Sequence, residues 1–286
     1  MPQDKKERAF FSFEVFPPKK DMPVDTIYKT LDELTDLKPD FISVTCGAGG
    51  AGGAGDRTVE IADAIKNKYH REGVAHLPCI NLERAQVVDM LGKLRAKNVN
   101  KILALRGDKT PNVEPKHDFR YAAELISFIR KETGDEFEIF AACYPEGHIE
   151  AKDLDTDIEY LRQKVAAGAN RLISQLFFDN KYFYDFKEKA RKAGINAPIE
   201  AGIMPVTNKK QIERMVMLCG ATLPRKFQRM LAKYENRPEA LRDAGIAFAV
   251  DQITDLLSNG AEGIHLYTMN NPYIARKISE AIGELL

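Results

Sequence analysis

Eight short apolar segments rich in β-branched and aromatic residues recur along the chain, and a stretch with helical periodicity follows each of them. The predicted strands are Phe10–Phe16, Phe41–Cys46, Ala75–Ile80, Lys101–Arg106, Glu138–Tyr144, Arg171–Phe178, Pro198–Met204 and Gly263–Met269. The predicted helices cover 23–37, 57–70, 83–97, 119–132, 153–168, 180–193, 208–218, 222–234, 237–259 and 273–285. Three of these helices, 208–218, 222–234 and 237–259, lie between the seventh and the eighth strand.

This order of elements predicts an α/β fold with a parallel sheet. The apolar runs are nearly continuous, as expected for strands buried on both faces, and a helix between successive strands requires parallel crossovers. Eight such units favour a (β/α)8 TIM barrel over a doubly wound open sheet, which is the structural alternative. Because no low-complexity linker divides the chain, we expect residues 1–286 to form a single catalytic domain.

Composition narrows the functional classes. The 286 residues include 42 basic and 42 acidic side chains, and a net charge of zero argues against a nucleic-acid-binding protein. No apolar run approaches the roughly 20 residues that span a bilayer, and no secretory signal is expected at the start. Four separated cysteines, Cys46, Cys79, Cys143 and Cys219, form no Cys-x-x-Cys pair. We therefore expect reduced thiols in a cytoplasmic protein.

Active sites of such barrels lie at the C-terminal ends of the strands, so polar residues there are candidates. Glu14 lies between Phe13 and Val15 near the end of the first strand. Burial of a carboxyl in this setting favours its protonated form, which a general acid requires at neutral pH. The alternative is a structural ion pair with a lysine or arginine across the barrel.

Further polar residues follow four other predicted strands. The fourth strand leads into Arg106, Gly107 and Asp108, where the glycine allows a close backbone turn. The other candidates are Thr45 after the second strand, Tyr144 and His148 after the fifth, and Gln175 on the sixth. The Gly-Asp pair is also ordinary turn chemistry, so a solvated loop is the alternative there.

Several familiar chemistries lack their motifs. The glycine run at 47–52 matches G-x-G-x-x-G, but the predicted helix starts several residues later and no acid ends the next strand. P-loop and G-x-S-x-G motifs are absent, and the five histidines lack the spacing of a metal site. Lys101 stands at the start of its strand, the wrong end for a Schiff base. Acid–base or cofactor chemistry remains.

Six motifs together resemble the 5,10-methylenetetrahydrofolate reductases, in their compact bacterial form. They are SFEVFPPK at 12–19, SVT at 43–45, ALRGD at 104–108, AACYPEGH at 141–148, GANRLISQLFFD at 168–179 and GIMPVTN at 202–208. The resemblance implies a (β/α)8 barrel that binds FAD and reduces 5,10-methylenetetrahydrofolate to 5-methyltetrahydrofolate. It also implies NADH or NADPH as the electron donor.

The resemblance assigns roles to individual positions. It implies that Glu14 is the acid that opens the folate imidazolidine ring, and that Asp108 contacts the pterin near the flavin. Glu14, Asp108, Gln175 and Gln211 would bind the substrate. The positions implied for the cofactor are Thr45, Ala48, His76, Arg106, Gly107, Asp108, Tyr121, Ala122, Tyr144, His148, Ala151, Asp157 and Lys164.

Three positions depart from the pattern of the family. Cys46 replaces a common tyrosine, Met215 a phenylalanine and Asn271 an arginine, all on the substrate and nucleotide side. One alternative is therefore a flavoprotein subunit that receives its electrons from a partner protein. Another is a barrel lyase or aldolase unrelated to folate. We also expect a homo-oligomer.

Overall fold

A computed structural model describes residues 8–19, 22–47, 54–109 and 114–286. Eight parallel strands form a closed barrel in sequence order, and β1 pairs with both β2 and β8. The strands are β1 Phe10–Val15, β2 Phe41–Val44, β3 Glu72–Pro78, β4 Lys101–Leu105, β5 Glu138–Cys143, β6 Arg171–Ser174, β7 Ile199–Ile203 and β8 Gly263–Tyr267. The closed barrel confirms the predicted TIM barrel and excludes the open sheet.

Helices surround this barrel. They are α1 Thr26–Asp36, α2 Ala54–Asp63, α3 Arg84–Ala96, α4 Ala122–Thr133, α5 Leu154–Ala166, α6 Asn180–Lys192, α7 Lys209–Cys219, α8 Arg225–Tyr234, α9 Pro238–Ser258 and α10 Pro272–Ile282. Helices α7, α8 and α9 confirm the predicted additional helices before β8. Within the described ranges, none of the helices is both long and apolar enough to cross a membrane.

Side chains alternate between the inside of the barrel and the helical layer. On β1, Phe11, Phe13 and Val15 belong to the main hydrophobic core, which they share with residues of the surrounding helices. A separate group of buried side chains fills the middle of the barrel, as is usual for this fold. Its members are Phe41, Val74, Leu103, Phe140 and Ile173. The alternate residues of β1, Ser12 and Glu14, therefore point to the interior of the barrel.

The predicted boundaries of two strands and one helix are wrong. The sixth strand ends at Ser174, because Leu176 and Phe178 turn away to pack in a second core with side chains of α7 and α8. The third strand begins at Glu72, three residues before its predicted start. The helix predicted over 57–70 ends as α-helix at Asp63 and continues as one π-helical segment, Ala64–Lys68.

The long helix α9 packs very closely on the loop after β7. A Cβ atom added to Gly245 would lie 1.7 Å from the carbonyl oxygen of Val206. Only glycine permits this approach, which holds the additional helices against the C-terminal end of the barrel. They thereby form one wall of the region where the strands end.

Candidate active site

Glu14 lies on the inner surface of the barrel, near the C-terminal end of β1. Its register partners are Ser43 on β2 and Tyr267 on β8. The side chain keeps 20% of its surface exposed, so it is only partly desolvated. Among the described residues, no lysine or arginine lies within ion-pair distance of its carboxylate. The structural ion pair considered as an alternative is therefore not found there.

Two histidines flank the Glu14 carboxylate instead. The Oε2 atom lies 3.6 Å from Nε2 of His76 and 3.8 Å from Nε2 of His265. Burial lowers the pKa of His76 to about 4, and the nearby Glu14 opposes this shift only in part. His76 is therefore neutral at pH 7. Within the described parts of the chain its buried Nε2 atom has no hydrogen-bond partner, so it is free to interact with the carboxyl group.

His265 is fully buried and is held by polar groups on both sides of its ring. Its Nδ1 atom lies 2.7 Å from Oγ of Ser12, and its Nε2 atom lies 3.4 Å from Oγ of Ser43. Ser12 in turn donates to Oε2 of Glu200, which is also fully buried. The sequence prediction did not include this polar group. Alternation along the strands could have indicated it, because Ser12 shares the inward face with Glu14.

Tyr267 is a second residue that the sequence analysis missed. Its hydroxyl donates to the carbonyl oxygen of Ser174 at 2.7 Å. A Cβ atom on Gly202 would lie only 2.8 Å from that hydroxyl, so the glycine makes room for the ring. Burial, with the negative charge of Glu14, raises the pKa of Tyr267 well above its ordinary value. The phenol therefore stays protonated beside the carboxylate.

Arg106 and Asp108 lie on opposite sides of a tight turn after β4. Arg106 forms a two-point ion pair with Glu150, with N–O distances of 2.7 and 3.0 Å. Gly107 adopts a φ of +86°, and a Cβ atom there would lie 2.9 Å from Cβ of Pro78. Asp108 is exposed. Burial raises the pKa of Cys219 to about 11, and the negative charge of Asp108 adds to this effect. Asp108 therefore lies near Cys219, the last residue of α7.

Tyr144, His148, Asp157 and Lys164 form a cluster beyond β5. The rings of Tyr144 and His148 meet edge to face at 4.7 Å. Lys164 donates to the carbonyl oxygen of Ala142 at 2.8 Å, and its ammonium lies 5.5 Å from the centre of the Tyr144 ring. The structure thus brings together four of the predicted cofactor residues.

The titratable groups of this cluster are partly shielded from water, which shifts their pKa values. Burial lowers the pKa of Lys164, and the attraction of Asp157 opposes that shift. Burial likewise raises the pKa of Asp157, and Lys164 opposes it. Burial and the charge of Arg106 together lower the pKa of His148. A poorly hydrated ammonium beside an aromatic ring is suited to an anionic ligand.

Two of the predicted substrate residues, Gln175 and Gln211, lie after β6 and in α7. Gln211 is in the first turn of α7 and lines a cavity of about 200 Å³ together with Phe16, Tyr267 and Asn271. The side chain of Gln175 accepts a hydrogen bond from the backbone N–H of Leu176 at 2.8 Å, and its amide NH₂ has no partner among the residues that the structure describes. Asn271 caps α10 by accepting from Ile274.

Other predicted positions are less closely involved. Thr45 follows β2, and its backbone N–H donates to Val15. Tyr121 is exposed and stacks on Tyr160 at 6.5 Å, and Ala122 is the buried first residue of α4. Ala151 donates its backbone N–H to the carbonyl oxygen of His148. Ala48 and most of the glycine run lie outside the described residues.

Two of the three departures have a clear setting. Burial raises the pKa of the Cys46 thiol, with a hydrogen bond to Thr58 acting against it. Met215 is half-buried against the second core, beside Ile212. These thiol and thioether side chains are smaller or more flexible than the aromatic rings they replace.

The cluster beyond β5 fits a flavin dinucleotide. It offers a half-buried cation and an aromatic ring, and the close glycine turn at Gly107 follows the neighbouring strand β4. For a metal the residues do not fit. Across the described parts of the chain, no group of three or more His, Cys, Asp or Glu side chains is placed to hold an ion.

Solved structures confirm the architecture. A protein from Clostridium thermocellum, described as binding two copies of 5-methyl-5,6,7,8-tetrahydrofolic acid, superposes with a TM-score of 0.64 at 14% identity, covering 98% of this chain and 96% of that one. A dihydropteroate synthase from Coxiella burnetii superposes with a TM-score of 0.54 at 12% identity, covering 98% and 94%. At such low identity these similarities establish the fold alone.

Sequence relatives are more specific. A 5,10-methylenetetrahydrofolate reductase from Pectobacterium carotovorum is 37% identical over 276 residues, covering 96% of this chain and 91% of its own length. The Escherichia coli K12 enzyme of that name is 34% identical, covering 95% and 90%. Methylenetetrahydrofolate reductase (NADH) 1 of Arabidopsis thaliana is 37% identical over 91% of this chain, which spans only 46% of that plant protein. Residues 2–283 also match the family described as methylenetetrahydrofolate reductase, and the chain therefore belongs to that enzyme family.

Proposed function

We propose that this chain is an FAD-dependent 5,10-methylenetetrahydrofolate reductase that uses NADH or NADPH as its electron donor. The observation that carries the proposal is the position of Glu14 in a chain that matches the family from end to end. Its carboxyl group lies at the open end of the barrel between two imidazoles, with no arginine or lysine beside it among the described residues. A carboxyl in this setting can hold and release a proton.

Residues beyond β4 and β5 would hold the cofactor. Lys164 would offset the charge of the diphosphate, Tyr144 would pack against the ring system, and the turn at Gly107 would let the backbone approach closely. When bound, FAD would take electrons from the nicotinamide nucleotide and pass them to the methylene carbon of the folate. The remaining FAD positions of this proposal are Thr45, Ala48, His76, Arg106, Asp108, Tyr121, Ala122, His148, Ala151 and Asp157.

Glu14 would supply the proton that the folate step needs. The methylene carbon becomes a good electron acceptor only when the five-membered ring opens, and opening requires protonation of N10. A positioned acid accelerates such a step by roughly 10²–10⁴-fold. The neutral His76 and the protonated phenol of Tyr267 add no positive charge that would pull the proton away from the carboxyl group.

Asp108, Gln175 and Gln211 would orient the folate. Asp108 is exposed at the mouth, where its carboxylate can accept hydrogen bonds from the polar edge of a pterin. The NH₂ of Gln175 and the side chain of Gln211, in the first turn of α7, would add further hydrogen bonds to the folate. The cavity of about 200 Å³ beside Gln211 is too small for a whole folate, and we assign it to one part of the substrate.

The experiment is turnover by the purified chain. FAD, NADH or NADPH, and 5,10-methylenetetrahydrofolate are mixed without oxygen, and 5-methyltetrahydrofolate is measured by mass spectrometry. The proposal predicts product with at least one nucleotide. Product with a chemical reductant only would instead favour a flavoprotein subunit fed by a partner protein, an alternative suggested by Cys46, Met215 and Asn271. Failure to bind any flavin would contradict the proposed cofactor.

A further inference from the structure

A continuous set of polar contacts crosses the barrel beneath Glu14. Arg171 on β6 donates to Oε1 of Glu200 on β7 at 3.3 Å. Oγ of Ser12 on β1 donates to Oε2 of Glu200 at 2.7 Å, and the same Ser12 oxygen lies 2.7 Å from Nδ1 of His265 on β8. The other ring nitrogen of His265 faces Glu14 at 3.8 Å. We call these four residues, Arg171, Glu200, Ser12 and His265, the barrel relay.

The single hydroxyl hydrogen of Ser12 determines how protons are arranged along the relay. Arg171 favours the ionised form of Glu200, and a carboxylate can only accept hydrogen bonds. Ser12 must then give its hydrogen to Glu200, and its oxygen is left to accept from Nδ1–H of His265. A neutral His265 in this tautomer presents a lone pair at Nε2, toward Glu14 and Ser43.

A lone pair of His265 that faces Glu14 favours one proton on the pair, held either by the carboxyl group or by the imidazole. If Glu14 is protonated, its hydrogen faces an acceptor. If Glu14 is ionised, it is stabilised best when His265 takes up the proton and becomes a cation. The separation of 3.8 Å is too long for a direct hydrogen bond, but it is short enough for the charge of one group to act on the other.

We propose that the barrel relay orients the Nε2 lone pair of His265 toward Glu14 and keeps one proton on this pair, held by one group or the other, so that His265, Ser12 and Glu200 are positioning residues for the acid. This inference rests on the proposed function, because it assigns how the acid of that same site stays loaded. Burial raises the pKa of Glu200, and His265, Ser12 and Arg171 offset that rise only in part, so each contact is needed to favour the ionised form. The relay therefore depends on all of its members.

Other titratable groups near Glu14 and His265 come from neighbouring strands. His76 on β3 faces Glu14 at 3.6 Å, and its neutral form adds no charge at pH 7. Tyr267 on β8 is a protonated phenol. At the far end of the relay, Glu138 on β5 lies 3.6 Å from Arg171. Glu200 is the carboxylate that reaches His265 through the Ser12 hydroxyl, so its removal is the decisive change.

The first test is the pH profile of folate reduction by the pre-reduced enzyme, followed by stopped-flow absorbance. The rate requires a proton on the pair and falls as pH rises. Glu200→Gln removes a negative charge that favours this proton. Ser12→Ala removes the hydroxyl group that connects Glu200 to His265. In both variants we expect the fall to move by about 1 pH unit toward lower pH. Ser12→Thr keeps the hydroxyl and should retain the wild-type profile.

Glu262→Gln is the matched control for Glu200→Gln. Glu262 pairs with Arg191 at 2.6 Å at the other end of the barrel, outside the relay, so its loss should leave the profile unchanged. Profiles of Glu200→Gln and Ser12→Ala that superpose on the wild type would overturn the inference. A wild-type enzyme that reduces no folate at any pH would instead overturn the proposed function.

A second test does not depend on catalysis. Nitrogen-15 NMR of histidine-labelled protein reports which ring nitrogen carries a hydrogen, and the His265 signals are assigned by their loss in His265→Gln. The relay predicts a protonated Nδ1 at neutral pH. A neutral His265 protonated only at Nε2 would overturn the relay even if the enzyme reduces folate and each substitution lowers its stability.

Discussion

Replacement of Lys164 by methionine isolates the contribution of one buried charge to cofactor binding. Methionine preserves most of the apolar stem that packs beneath Tyr144 but removes the ammonium group. In the native protein this ammonium already donates to the carbonyl oxygen of Ala142 and lies 5.5 Å from the ring centre of Tyr144. It is therefore oriented before any ligand arrives.

The size of the effect follows from this setting. A hydrogen bond that involves a charged group contributes about 1.5–3 kcal/mol, which corresponds to a factor of about 10 to 150 in Kd. Because burial lowers the pKa of Lys164, the native protein already bears the cost of desolvating this charge. We therefore expect the variant to bind FAD about 10- to 150-fold more weakly than the wild type.

The assay is titration of the FAD-free protein, monitored by quenching of flavin fluorescence. Lys187→Met is a matched control, because Lys187 also donates to a backbone carbonyl, that of Gly260 at 3.0 Å, and pairs with Glu262 at 3.4 Å. It lies outside the proposed cofactor site and should bind FAD normally. A Kd for folded Lys164→Met within threefold of the wild type would refute the role assigned to this cation.

Three further predictions test the other assignments. Glu14→Gln should still bind FAD and accept electrons from the nucleotide, while folate reduction falls by roughly 10²–10⁴-fold; near-normal folate turnover in stopped flow would contradict the role of Glu14. Asp108→Asn should slow the folate step more than it weakens FAD binding, and equal rates of that step in variant and wild type would be inconsistent with a pterin contact. The third concerns pH. Because the folded pKa of His76 is about 4 and the unfolded value is 6.5, the unfolded state binds the proton first, so stability is full above pH 6.5 and is lost as pH falls toward 4. Urea unfolding of the FAD-free protein should therefore lose about 3 kcal/mol more between pH 7 and pH 4 in the wild type than in His76→Gln; parallel losses in the two proteins would exclude His76 as the cause.

The sequence predicted the barrel because its pattern is local. Each strand is an apolar run and each helix has its own periodicity, so every unit could be recognised without knowledge of its neighbours. The errors lie where distant packing decides the outcome. The apolar run from Arg171 to Phe178 contains a short strand and then a segment that packs under α7 and α8, and no local signal separates the two.

The candidate site was predicted only in part. Motifs identified Glu14 and Arg106, because each lies in a segment with a recognisable sequence. Glu200 and His265 were missed because their importance comes from the register of β7, β8 and β1, which places three separate strands around one hydroxyl group. Glu150 was missed for a similar reason, since it meets Arg106 across 44 residues of chain.

The most direct test of the central claim is an anaerobic absorbance spectrum of the purified chain with FAD. NADH or NADPH is added first and 5,10-methylenetetrahydrofolate second. The account predicts flavin bands that bleach with a nucleotide and return when the folate is added. A protein that takes up no FAD, or bound flavin that stays bleached after the folate is added, would contradict it.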